Sequence, residues 1–331
     1  MTDVTTQKNK RIVWKYWQEI NKSGLDGLQG LIQNFVHEDI LWRGPYPINE
    51  LRGAEALYTD YWQPLLRSFP DLQRRTDIFL GGHYEGKELV VATGYFTGTF
   101  INNWLGIPAT GKETGIRFGE HTVLRSGKIV ETFILLDILD VLRQGGYRFV
   151  PKWLNEEGNV PGPATGDGVL LSPQDDQESQ KSLELMVDML KNLAQYDGVD
   201  WSTQNKERFW HPNMVWYGPT GIGTVRGLVP FEVDYQTYFR RGLPDFHGIK
   251  LFTKIAEGRY SAIGGYPSSG GTHLGEFIGC PPTGKKVTLR VMDFYRREGN
   301  FLMENWVLID MIYLALQMGN DIFADLRRQN N

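Results

Sequence analysis

The sequence predicts an α+β protein built from two tandem copies of one domain, each a curved antiparallel sheet packed on N-terminal helices. Three observations carry this. The chain repeats itself, each copy runs from helical to strand-like periodicity, and a Gly/Pro-rich stretch separates the copies.

The duplication is read directly from the residues. FVHEDILWRGP (35–45) becomes FWHPNMVWYGP (209–219) on adding 174, and the ungapped segments 35–72 and 209–246 agree at 13 of 38 positions. Further on, GIPATGK (106–112) meets GCPPTGK (279–285) at a shift of 173, which places indels near Gly82 and Ser268. A period this long is a domain and not a solenoid repeat. Between the copies, NEEGNVPGPATGDG (155–168) has the composition of a linker. The expected organisation is a more degenerate copy over 1–150, a linker over 151–171 and a second copy over 172–331.

Each copy opens on a helical pattern. Ile12, Trp14, Tyr16, Trp17 and Ile20 recur at mostly helical spacing in 8–20. Leu183, Leu185, Met186, Met189, Leu190 and Leu193 do so in 182–193. A further helix ends before Phe69-Pro70 and before Leu243-Pro244. Strand-like runs follow at 88–100, 114–124 and 128–136 in the first copy. In the second they lie at 260–266, 272–278, 286–295 and 301–309. Short apolar helices at 138–144 and 311–317 close the copies, with Asp137 and Asp310 as N-caps.

Composition narrows the function classes. Of 331 residues, 41% are hydrophobic and 22% charged, which suits globular domains with real cores. A net charge of −4 argues against a phosphate-binding surface, so no nucleic acid is expected. Cys280 is the single cysteine, so no intrachain disulfide exists. The polar start lacks a signal-peptide core and no apolar run spans a bilayer. The expected location is the cytoplasm, with no membrane partner.

The second copy carries the most telling run. It contains Gly271-Thr272-His273, Gly275-Glu276-Phe277, Gly279-x-Pro281-Pro282-Thr283-Gly284-Lys285, Glu304-x-Trp306, Asp310 and Gln317-x-Gly319. This resembles the SnoaL-like polyketide cyclases, of the NTF2-like or ketosteroid-isomerase-like superfamily. The first copy keeps Gly106, Pro108, Thr110-Gly111-Lys112, Glu131, Asp137 and Gln144. The resemblance implies two cone-shaped domains with cavities, metal- and cofactor-free aldol ring closure, and pairing of the two copies as an intrachain pseudo-dimer, with further homo-oligomers open.

The chain departs from the family pattern at the strand before the closing helix. There the resemblance implies Glu-His-Trp-Asp, with the His and Asp facing the cavity. The chain has Glu131, Thr132, Phe133 and Ile134 in one copy, and Glu304, Asn305, Trp306 and Val307 in the other. An isoleucine or valine moves no proton. Asp293 and Glu120 are equivalent (120 + 173 = 293) and sit mid-strand in apolar settings. A desolvated carboxylate there has a raised pKa suited to general base work. Solvent exposure, or pairing with Arg290 and Arg117, is the plainer alternative.

His273, opposite Phe100 in the first copy, is a candidate to donate to a carbonyl oxygen or act as base. Asn305 and its counterpart Thr132 offer polar contacts. Trp42, Trp216, Tyr61, Tyr235 and Trp306 are candidate pocket walls, with plain core as the alternative. His37 and His211 read as structural caps, and His83, His121 and His247 as surface residues. No histidine has metal-ligand spacing. The TGK triplets lack a phosphate loop and read as hairpin turns.

Two functions follow. The first is a cofactor-free enzyme acting on a small, hydrophobic, carbonyl-containing molecule by proton transfer at carbon, by aldol cyclisation, isomerisation or dehydration. Asp293 is then the base, with His273 and Asn305 polarising the carbonyl. The second is a non-catalytic binder or carrier, favoured by the missing His-Asp pair. The contrast of Phe100 with His273 and Thr132 with Asn305 puts the working site in the second copy.

Overall fold

A computed structural model describes residues 4–152, 155–196 and 201–330. The chain divides into two compact units. Domain one runs to Arg148 and includes Thr165–Pro173 and the segment from Phe323, while domain two comprises Phe149–Ala164 and Gln174–Ile322.

Domain one opens with α1 (Val4–Phe35), kinked at Gly24, whose positive φ takes it out of the helix. Val13, Tyr16, Trp17 and Ile20 lie on one buried face, as their three- and four-residue spacing requires. Then come β1 (Val36–Arg43), β2 (Glu50–Arg52), α2 (Ala54–Ala56), a π turn (Leu57–Trp62) and α3 (Gln63–Ser68). The remainder is β3 (Gln73–Tyr84), β4 (Lys87–Thr99), β5 (Glu113–Arg125), β6 (Lys128–Leu136) and α4 (Ile138–Gln144). The sheet order is β2-β1-β6-β5-β4-β3. It is antiparallel except for the parallel β1–β6 pair. That pair needs the long crossover through the helices, because a hairpin cannot join parallel strands. Val169 adds a parallel bridge to Phe79.

Domain two repeats the plan with α5 (Asp176–Leu193), β7 (Trp210–Tyr217), β8 (Thr224–Arg226), α6 (Leu228–Pro230), a second π turn (Phe231–Gln236) and α7 (Thr237–Gly242). The strands β9 (His247–Gly248), β10 (Thr253–Glu257), β11 (Tyr260–Thr272), β12 (Lys286–Glu298) and β13 (Phe301–Ile309) follow, then α8 (Met311–Gln317). The order is β10-β11-β12-β13-β7-β8, with β9 also on β11. Asp175 caps α5 through the backbone N–H groups of Gln177 and Glu178.

The predicted closing helices fall at their expected bounds, and their caps are as predicted. The Asp137 side chain accepts from the Asp140 amide and Asp310 from the Tyr313 amide. Three features differ from expectation. The run at 272–278 is not a strand: β11 is continuous to Thr272, and a loop leads from there to β12. The indel near Ser268 is a bulge, where four residue steps along β11 (Gly265 to Ser269) span two along β12 (Val291 to Leu289). The chain also ends in α9 (Ile322–Asn330), which carried no clear sequence signal. It packs within domain one, with the Phe323 ring 5.9 Å from Tyr46 and Tyr147 Oη donating to Asn330 Oδ1 at 2.8 Å.

Candidate active site

Strand register settles which side chains share a face, because directly opposed residues point the same way. In domain two Asp293 opposes Ile263 on β11 and Val307 on β13, Tyr295 opposes Ser261 and Asn305, and Asn305 opposes Trp216 on β7. These residues form the concave face under the helices. Tyr235, from the π turn, stacks on Trp216 with ring centroids 4.2 Å apart. Phe231 and Phe239 flank Tyr235 at 5.5 and 5.8 Å.

Asp293 lies mid-strand in this face. It keeps some accessible surface, whereas its neighbours Met292 and Phe294 are fully buried. Its side chain is packed on most sides without being sealed from solvent. Burial drives its pKa up to about 7, against the pull of hydrogen bonds from Asn305 and Tyr295. Asn305 Nδ2 lies 3.4 Å from Asp293 Oδ1 and donates to the Phe294 carbonyl at 3.1 Å. Burial and the nearby Asp293 carboxylate raise the Tyr235 and Tyr295 phenols, so both stay protonated. The site thus combines one carboxylate poised near neutrality with two phenol donors and an aromatic wall. That is equipment for moving a proton beside a polarised oxygen.

Other candidates sit elsewhere. Trp306 opposes Phe294 on the other face of the sheet, stacks on Tyr217 at 5.3 Å and donates to the Pro161 carbonyl at 2.8 Å. His273 follows Thr272, which opposes Lys286, seven residues from Asp293 on β12. At strand rise that is on the order of 20 Å along the strand, so the two do not form one constellation. Its Nδ1 lies 3.1 Å from Thr283 Oγ1 in the loop that it begins, and burial lowers its pKa.

In domain one Trp42 lies 4.5 Å from Tyr61, Thr132 opposes both Trp42 and Thr122, and Glu120 opposes Ile134. Phe100 stacks on Phe69 at 4.6 Å, at the His273 end of the cone. Glu120 does form an ion pair, but with Arg74, whose Nη1 lies 2.5 Å from Glu120 Oε2. Arg290 instead binds Asp310 at 3.0 Å. Thr122 Oγ1 also donates to Glu120.

His37 and His211 accept from the Asp39 and Asn213 amides through Nδ1, as local caps. His121 corrects the surface reading: it is wholly buried, and burial lowers its pKa to about 3. Its period-two position on β5 puts it against Phe133, which sequence without a strand register could not show. Sequence reasoning also missed Tyr295 and Arg74. Tyr295 was detectable as the residue two beyond Asp293 on a strand, on the same face. No cluster of metal-ligating side chains exists among the described residues, and no described helix is long and apolar enough to cross a membrane. Open clefts of about 330 and 460 Å³ lie on domain one around Lys8, Lys87 and Arg125, away from this chemistry.

Comparison with known proteins agrees with the internal repeat. The chain is similar to the crystal structure of a putative SnoaL-like polyketide cyclase from Jannaschia sp. CCS1, at 19% identity and a TM-score of 0.37, over 42% of this chain and 92% of that one. It is similar to AclR, a putative hydroxylase from Streptomyces galilaeus, at 22% identity and a TM-score of 0.35, over 43% and 97%. IdmH from Streptomyces antibioticus, a putative polyketide cyclase, is matched at 19% identity and a TM-score of 0.35, over 42% and 99%. Among curated proteins, none matches. The model of the SnoaL-like polyketide cyclases matches twice, over residues 15–145 and 184–318. The chain belongs to that family as a tandem pair of its domains.

Proposed function

We propose that domain two is a cofactor-free acid/base enzyme site for a small, apolar, carbonyl-containing molecule, with Asp293 moving the proton. The observation that carries this is the environment of Asp293: inward-facing, partly accessible, with a pKa near 7. A carboxylate of that basicity takes a proton from carbon next to a carbonyl far better than an ordinary aspartate. The enolate oxygen formed would accept a hydrogen bond from Tyr235, which burial keeps protonated. Tyr295 and Asn305 hold the carboxylate in place. Returning the proton to a different carbon gives isomerisation; attack of the enolate carbon on a second carbonyl of the same molecule, whose oxygen takes the proton, gives aldol ring closure; and loss of a β-hydroxyl, which leaves with the proton as water, gives dehydration. The Trp216–Tyr235 stack supplies the apolar wall. His273 takes no part at its distance.

The test is a thermal-shift screen of hydrophobic ketones, lactones and polycyclic phenols on wild type and Asp293→Asn together. Binding to both, with product from wild type only, supports the reading. Binding to both with product from neither makes this a binding protein, the reading that Asn305 and Val307 in place of the family's His and Asp support. Product from the variant at the wild-type rate refutes the role of Asp293.

A further inference from the structure

The two domains are internal rulers for one another, and around the acid they differ at several positions: Tyr295 and Asn305 stand beside Asp293 where Thr122 and Thr132 stand near Glu120, and a further set of differences concerns Arg74. In domain one β3 pairs with β4 so that Arg74 opposes Phe96. In domain two β9 pairs with β11 so that Gly248 opposes Ser269. Phe96 and Ser269 are equivalent at the shift of 173, and Arg74 and Gly248 at 174. Register and sequence therefore agree that Arg74 stands where domain two has a glycine.

The Arg74 side chain runs into the domain interior and is almost wholly buried, at 3% exposure. Its guanidinium lies 3.5 Å from the Trp17 ring centroid and 4.0 Å from that of Phe118, with its edge on Glu120. Trp62 packs 6.2 Å from Phe96 and 4.9 Å from Tyr61 in the same interior. At the equivalent positions of domain two stand smaller groups: Gly248 for Arg74, Ser269 for Phe96, Val291 for Phe118 and Gln236 for Trp62. Glu120 is buried at 7% exposure, while Asp293 is somewhat more accessible.

We infer that domain one holds a latent copy of the domain-two pocket, closed by the Arg74 side chain on Glu120, so that each chain has one working site. The guanidinium neutralises the carboxylate and its aromatic partners fill the apolar space a ligand would use. Both Glu120 oxygens are already engaged, Oε2 by Arg74 and Oε1 by the Thr122 hydroxyl. This rests on the reading of domain two only for the statement that the other site works.

The test counts naphthol, a planar phenol, bound per chain by calorimetric titration. Opened apolar cavities of this kind take up small aromatic molecules. The variants are Arg74→Gly with Glu120→Gln, which copies Gly248 and leaves no buried charge, and Arg74→Met with Glu120→Gln, which keeps the volume. One more naphthol site in the glycine variant than in the methionine variant is the expected result. Equal stoichiometry in folded variants overturns the inference, as does a wild type that already fills two sites. If the glycine variant does not fold, Phe118→Val, copying Val291, opens the same space with the ion pair intact. A gain of one site is expected there, and no gain overturns the inference. A wild type with no site and a variant with one would uphold the closure while removing the domain-two reading. One site in both would do the reverse.

Discussion

Replacing Asp293 by asparagine should make the protein more stable, and increasingly so as the pH rises. In an unfolded chain the carboxyl has its ordinary pKa of 3.8, while in the fold burial lifts it to about 7. Below about pH 3 both states are protonated and burial costs nothing extra. Between 4 and 7 the folded state binds the proton more tightly, so rising pH favours the unfolded chain. Above 7 the full cost is present. Three units at about 1.4 kcal/mol each set a ceiling of about 4 kcal/mol. Because the residue keeps some accessible surface, water reduces that to roughly 2 kcal/mol. Asparagine keeps the shape and cannot ionise. The melting temperature of Asp293→Asn relative to wild type should therefore rise from near zero below about pH 3 to a plateau above pH 7.5, by about 5 °C. Paired scans across that range cancel every other titrating group. A difference that is flat with pH, or that falls, would refute the placement of a desolvated acid at this position.

Other expectations follow from the same packing. Arg74→Met should destabilise domain one by about 3–5 kcal/mol by leaving a buried carboxylate unpaired, and urea unfolding measures it. Restoring neutrality with Glu120→Gln should recover most of that loss. Trp306→Phe should lower stability by about 1 kcal/mol through the lost bond to Pro161, with ligand affinity unchanged. Trp216→Ala should weaken ligand binding at least tenfold by removing the wall on which Tyr235 stacks, and titration of any screen hit decides between them. Asp175→Ala should cost about 1 kcal/mol as a lost cap of α5, read by thermal unfolding.

What the sequence disclosed was whatever depends on local pattern and repetition. The duplication fixed the two copies, β13 and both closing helices fell at their predicted bounds, and Asp137 and Asp310 cap as N-cap aspartates do. Asp293 stood out because a carboxylate within an apolar strand is costly unless something uses or pairs it. What stayed hidden depends on register. Trp306 and Asn305 are adjacent, so they face opposite sides, and only pairing with β7 and β12 shows that Asn305 is the inward one. Glu120 and Asp293 look alike in sequence, yet one is held by an arginine and the other by the neutral Asn305 and Tyr295. The deciding residue, Arg74 or Gly248, lies on a neighbouring strand, in a region where β3 is continuous and its counterpart is split into β9 and β10. His121 read as a surface residue because one polar side chain on a strand gives no clue to its face.

The most direct test of the account is the titration of the Asp293 carboxyl itself, followed by carbon NMR with Asp293→Asn to assign the signal. A midpoint near 7 that moves when a ligand binds is the predicted result. A midpoint near 4, unmoved by ligand, would mean that Asp293 is an ordinary solvated carboxylate and that domain two has no acid/base group at this site.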